Sequence, residues 1–79
     1  MADYEIAIEI DARGSHCPGP MMELIKAIRQ ANVGEYVAVL SSDEGSLQDI
    51  PAWVKKAKHE LTEIIKGDGY NKFVIKKLH

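Results

Sequence analysis

Tyr4-Glu5-Ile6-Ala7-Ile8-Glu9-Ile10-Asp11 sets Tyr4, Ile6, Ile8 and Ile10 on one side of an extended chain and Glu5, Ala7, Glu9 and Asp11 on the other. Successive side chains of a strand point to opposite faces, so the alternation predicts a strand with one covered and one wet face. A sheet covered on one face needs one layer of helices, which favours a two-layer α/β sandwich over a doubly wound three-layer fold. Helices are therefore expected on one side of the sheet only.

Outward from this strand the period changes. From Pro20, the residues Met21, Leu24, Ile25, Ile28 and Ala31 recur at helical spacing, while Glu23, Lys26, Arg29 and Gln30 fall on the water side. Asn32-Val33-Gly34 stops the helix, because Asn and Gly tolerate the left-handed conformation of a C-terminal cap. Tyr36 to Leu40 is an unbroken apolar run and predicts a central strand. The acidic turn Ser41-Ser42-Asp43-Glu44-Gly45 leads to Ser46, an expected N-cap, with Asp49 three residues on. Leu47, Ile50, Val54, Ala57 and Leu61 continue at helical spacing, and Pro51 predicts either a kink or a regular helix beginning only near Asp49. Leu61 to Lys66 and Asn71 to Leu78 read as strands joined through Gly67-Asp68-Gly69-Tyr70, whose glycines suit a tight hairpin. The order is β-α-β-α-β-β, a mixed four-stranded sheet with two helices on one face. Residues 1–79 are read as one domain, with a right-handed crossover making the first two strands parallel. The open face would keep a modest apolar patch from Ala7 and part of Tyr36 to Leu40.

A chain of 79 residues buries only about 60% of the surface its unfolded form exposes. Its single cysteine rules out an intramolecular disulfide or a zinc knuckle, so the core must hold the fold unaided. A net charge of −2 argues against a direct nucleic-acid partner. Lys55, Lys56, Lys58 and His59 cluster, as do Lys72, Lys76 and Lys77, and such runs form either a solvated face or a patch that docks an acidic partner. No apolar stretch approaches the roughly 20 residues of a membrane span, and Met1-Ala2-Asp3-Tyr4-Glu5 is not a basic leader, so no membrane association and a cytoplasmic location are expected.

Cys17 stands between Asp11-Ala12-Arg13-Gly14-Ser15-His16 and Pro18-Gly19-Pro20, where the first helix begins. A thiol there meets the positive end of the helix dipole and free N–H groups, so its thiolate is favoured and its pKa is expected below the ordinary value of about 8.5. Two starts are open: Cys17 as cap with Pro18 the first helical residue, or Gly19 as cap with Pro20 first. In either case the prolines restrict the backbone beside the sulfur and would hold it exposed. Most free cysteines are small core residues. Cys17 falls outside both apolar repeats, which favours a reactive thiol. His16 either lowers the thiol pKa or is an ordinary loop histidine. Arg13 either faces the thiolate or pairs with Asp11, and Gly14 serves a turn. A metal site from Asp11, His16 and Cys17 with His59 or His79 lacks recognisable ligand spacing, so no metal is expected. A cysteine protease needs a positioned histidine in a cleft, for which the chain is too small. A thioredoxin-like reaction needs a second thiol, and position 20 is proline. What remains is a thiol charged with a group by one protein and discharged by another.

Asp11-x-Arg13-Gly14-x-x-Cys17-Pro18-x-Pro20 resembles the signature of the TusA (SirA-like) sulfur-carrier family, and Asp49-Ile50-Pro51-x-Trp53 and Phe73-x-Ile75-x-Lys77 resemble its second helix and last strand. The chain departs from the family pattern at Gly19, where a larger residue is common. The resemblance implies a two-layer α/β sandwich in which Cys17 carries sulfur as a persulfide or related adduct, within a thiol environment of Arg13, Gly14, His16, Pro18, Gly19 and Pro20. It implies no resident cofactor. It implies a sulfur donor, a cysteine desulfurase or rhodanese-like protein, and an acceptor protein, DsrE-like in some members, serving tRNA thiolation, cofactor sulfuration or dissimilatory sulfur metabolism. The rival readings are a noncatalytic module that docks a partner through Lys55, Lys56 and Lys58, and a redox sensor that forms a mixed disulfide.

Overall fold

The computed structural model describes residues 5–14 and 19–79, apart from the side chain of Pro20. The expectations placed on Tyr4, His16, Cys17 and Pro18, and on the Pro20 side chain, lie outside the described residues. The elements are β1 (Ile6–Asp11), α1 (Gly19–Gln30), β2 (Tyr36–Ser41), α2 (Ser46–Lys56), β3 (Glu60–Lys66) and β4 (Asn71–Lys76). The sheet order is β1-β2-β4-β3, with β1 parallel to β2 and the other two pairings antiparallel. This is the expected mixed sheet.

Alternation along the strands decides where the core lies. Val37 and Val39 of β2 and Phe73 and Ile75 of β4 point to one face, where they join Leu24, Ala27, Ile28 and Ala31 of α1 and Ile50 and Val54 of α2. Both helices therefore cover the same face. Ile8 and Ile10 pack against that cluster but are only half-buried, because β1 is an edge strand. The α1 stripe is centred on Leu24, Ala27, Ile28 and Ala31, with Met21 and Ile25 half-buried at its margin.

The open face is less wet than the alternation predicts. Ala38 and Val74 are fully buried there, since Lys72 reaches across β2 to pair with Glu9 at 2.6 Å and the Lys76 ammonium lies 5.7 Å from the centre of the Tyr36 ring. The aliphatic stems of the two lysines cover the small residues while their charges stay at the surface. The expected apolar patch is thus closed at its centre.

Both ends of α2 and the start of α1 differ from their sequence expectation, while Gly34, beyond the end of α1, takes the left-handed conformation expected there. Helix α1 begins at Gly19, so Pro20 is its second residue; the N–H that proline lacks is one with no partner inside a helix. Its C-terminal end is closed by Lys77, whose Nζ donates to the Ala31 carbonyl at 2.8 Å, and by Gly34 at φ +91°. Ser46 is not the cap of α2. That position is Gly45, whose N–H donates to the Asp43 carboxylate at 3.0 Å, while the Ser46 hydroxyl turns inward to share a 2.7 Å hydrogen bond with Ser41. Helix α2 runs unbroken through Pro51, held by the buried Ile50 and Val54. It does not extend toward Leu61. His59 N–H bonds the Val54 carbonyl and Lys58 N–H the Lys55 carbonyl, with Lys58 at φ +62°, a left-handed stop that returns the chain into β3, where Leu61 lies.

The C-terminal residues fold back on this stop. Leu78 N–H donates to His59 Nδ1 at 3.1 Å, the His79 ring stacks on His59 with centroids 4.6 Å apart, and Trp53 tilts against His59. Burial, then the His79 and Lys77 charges, lowers the His59 pKa below its ordinary 6.5. A histidine held neutral in the folded state contributes stability that is present above its unfolded pKa and is lost as pH falls through the folded value. Denaturant midpoints are therefore expected to fall on acidification from about pH 7 to about pH 5. His59→Gln should flatten part of that slope; an unchanged slope would show that His59 does not titrate with folding.

Candidate functional site at the carboxyl end of β1

The sheet ladder carries the chain past the end of β1, with Ala12 N–H donating to the Leu40 carbonyl at 2.9 Å. There the Asp11 carboxylate turns back on Arg13. It accepts the Arg13 backbone N–H at 3.1 Å, Nε at 2.8 Å and a terminal guanidinium nitrogen at 2.7 Å. Of the two readings open for Arg13, the described geometry shows the pair with Asp11. The Arg13 side-chain and backbone hydrogen bonds hold the Asp11 carboxyl down to about 2, from an ordinary 3.8. Both side chains are about half exposed, so the pair orders the turn more than it stabilises the fold.

Gly14 follows at φ +87°, the left-handed turn expected of it. Its N–H donates to the Ser42 hydroxyl at 2.9 Å, tying this turn to the β2–α2 loop. The Arg13 guanidinium carbon lies 5.0 Å from the centre of the Tyr70 ring, at the tip of the β3–β4 hairpin. On the far side of the segment containing Cys17, α1 opens at Gly19 with no acidic residue in its first turn. His16, Cys17 and Pro18 fall between Gly14 and Gly19 in the sequence and are themselves outside the described residues.

Ser42 and Tyr70 were not legible as site residues in the sequence. The first reads as part of an acidic turn and the second as the end of a hairpin, and only the tertiary fold brings them to Arg13 and Gly14. Both also line a half-open cavity of about 520 Å³, with Leu47, Ile64 and Lys66 among its walls. Leu47 is accordingly 46% exposed rather than a core residue of α2. A shallower depression of about 290 Å³ lies between Met21 of α1 and Asp49, Ala52, Trp53 and Lys56 of α2.

The two basic clusters do not merge. Lys55, Lys56 and Lys58 are exposed at the end of α2, whereas Lys72 and Lys76 cover the open sheet face and Lys77 closes α1. Among the described residues, no three His, Cys, Asp or Glu side chains are placed to hold a metal ion, and no helix is long and apolar enough to cross a membrane.

Residues 8–77 match the family model described as sulfurtransferase TusA. The chain is 61% identical over 71 residues to a candidate sulfur carrier protein of Archaeoglobus fulgidus, covering 90% of this chain and 97% of that one. It is 35% identical over 77 residues to the sulfur carrier protein TusA of Allochromatium vinosum, covering 98% and 99% of the two chains. Among solved structures, the crystal structure of a SirA-like protein from Desulfitobacterium hafniense superposes with a TM-score of 0.79 at 27% identity, over 91% of this chain and 99% of that one.

Proposed function

Because this chain belongs to the TusA sulfurtransferase family, we propose that it is a sulfur carrier whose working group is the Cys17 thiol. The observation that carries the reading is the match of residues 8–77 to the sulfurtransferase TusA family model and of nearly the whole chain to a protein named as a sulfur carrier, joined to a sequence in which Cys17 is the only cysteine. The geometry on either side supports it: an ordered turn at Arg13 and Gly14, and a helix start without acidic residues at Gly19.

In the proposed reaction the Cys17 thiolate attacks the outer sulfur of a donor persulfide. A sulfur–sulfur bond forms to Cys17 as the donor's sulfur–sulfur bond breaks, and the donor leaves as its thiolate. The proton on the transferred sulfur travels with it, and no external oxidant or reductant is consumed. Discharge is the same exchange in the opposite sense, with an acceptor thiolate attacking the outer sulfur held on Cys17. The reading requires two protein partners in turn, a donor of the desulfurase or rhodanese-like class and an acceptor. Arg13, Gly14, His16, Pro18, Gly19 and Pro20 form the proposed surroundings of the thiol, with the N–H groups at the start of α1 favouring its charged form.

Incubation with a cysteine desulfurase and cysteine, or with polysulfide, is expected to add the mass of one sulfur atom, located on the Cys17 peptide and removed by a thiol reductant. The absence of any such adduct with both donors would overturn the proposal. Masses of a glutathione adduct or a disulfide dimer in its place would favour the redox-sensor reading.

A further inference from the structure

We propose that Tyr70 is a positioning residue for the thiol segment, acting through Arg13: its ring receives the guanidinium that grips Asp11 and so sets the direction in which the chain leaves β1 toward Cys17. The inference rests on the reading of Cys17 as the sulfur-bearing group.

An exposed ion pair two residues apart orders little beyond its own turn. Here the turn has two further anchors from remote parts of the chain, the Ser42 hydroxyl on Gly14 N–H and the Tyr70 ring near the Arg13 guanidinium. The ring itself is seated on Gly67. A Cβ at that position would lie 2.3–2.6 Å from three of its carbons, a separation no atoms tolerate, so the ring occupies its place only because residue 67 is glycine. The Gly67 N–H also bonds the Tyr70 carbonyl at 2.8 Å, closing the hairpin turn that presents the ring. The chain thus has a hairpin tip built around an aromatic ring, with a cation from the thiol segment's leading turn placed near it.

A sulfur placed reproducibly at the start of α1 gains the full effect of the helix N–H groups, whereas one averaged over many positions gains part of it. Loss of the ring is therefore expected to show in the thiol itself. In Tyr70→Leu, the iodoacetamide alkylation rate of Cys17 near neutral pH should fall by about three- to ten-fold, with the midpoint of the pH–rate profile moving toward the ordinary value of about 8.5. Tyr70→Phe keeps the ring and should retain the wild-type profile. Gly67→Ala keeps Tyr70 but displaces its ring, and should behave like Tyr70→Leu. A purely structural role for Tyr70 would lower the unfolding midpoint of these variants and leave the alkylation profile unchanged; that outcome overturns the inference, as does a shifted profile in Tyr70→Phe. Failure of the wild-type chain to take up sulfur would overturn the carrier reading instead, and is scored separately by mass.

Discussion

Cys17→Ser is expected to abolish sulfur uptake altogether, with no adduct of sulfur mass from either a desulfurase or polysulfide, while the unfolding midpoint stays close to that of the wild-type chain. Serine keeps nearly the size of cysteine, so a change confined to one position should leave the packing of the two layers intact. Its hydroxyl is not ionised near neutral pH and offers no sulfur to form a sulfur–sulfur bond. The chain holds no second cysteine to take over, and its three methionine thioethers have no thiolate form. The effect is therefore all or none, read by intact mass and by transfer of labelled sulfur to an acceptor. Persistent uptake in the serine variant would show that Cys17 is not the carrier atom. Full function in the cell without Cys17 would favour the rival in which Lys55, Lys56 and Lys58 dock a partner and the thiol has no chemical part.

Phe73→Ala is expected to cost about 3–5 kcal/mol of stability, measured as a shift in the denaturant midpoint. Phe73 is fully buried in β4, between Val39 of β2 and Ile64 of β3, and heads the largest side chains of the core. A domain of 79 residues has a total stability of roughly 4–12 kcal/mol, so one such cavity removes a large part of it. Phe73→Leu, which retains most of the volume, should cost about 1–2 kcal/mol and remains measurable if the alanine variant does not fold. Ile64→Ala, at the paired position on β3 but 41% exposed, should cost about 1 kcal/mol or less. Equal costs at Phe73 and Ile64 would show that the core is not centred on β4.

Position in the sheet explains the contrast. Strand β4 is flanked by β2 and β3, so Phe73 and Ile75 are buried under the helices and Val74 is buried on the opposite face, whereas β3 is an edge whose Ile64 and Ile65 remain exposed. Both strands carry three apolar residues, Leu61, Ile64 and Ile65 in β3 and Phe73, Val74 and Ile75 in β4. Edge or centre is a property of strand order, which is set by pairing between distant segments.

What the chain determined locally is considerable. The period-two alternation before Asp11, the helical stripe after Pro20, the apolar run from Tyr36 and the glycine-rich hairpin at Gly67 to Tyr70 specify the element order and one covered face. They do so because burial imposes the period of each element on its own residues. The Asp11–Arg13 pair, one of the two readings open for Arg13 in the sequence, is local for the same reason, its members being neighbours along the chain. Tertiary structure alone decided the rest. Ser46 turns away from its capping role because Ser41 offers its hydroxyl a buried partner, and Lys77 becomes a helix cap because the end of α1 lies beside it, 46 residues away. Ser42 and Tyr70 reach the thiol segment's leading turn only when β2 and the β3–β4 hairpin take their places in the sheet. Hydrogen bonds and ring contacts of this kind join groups whose sequence separation carries no period, so nothing in the local pattern announces them before the layers have packed.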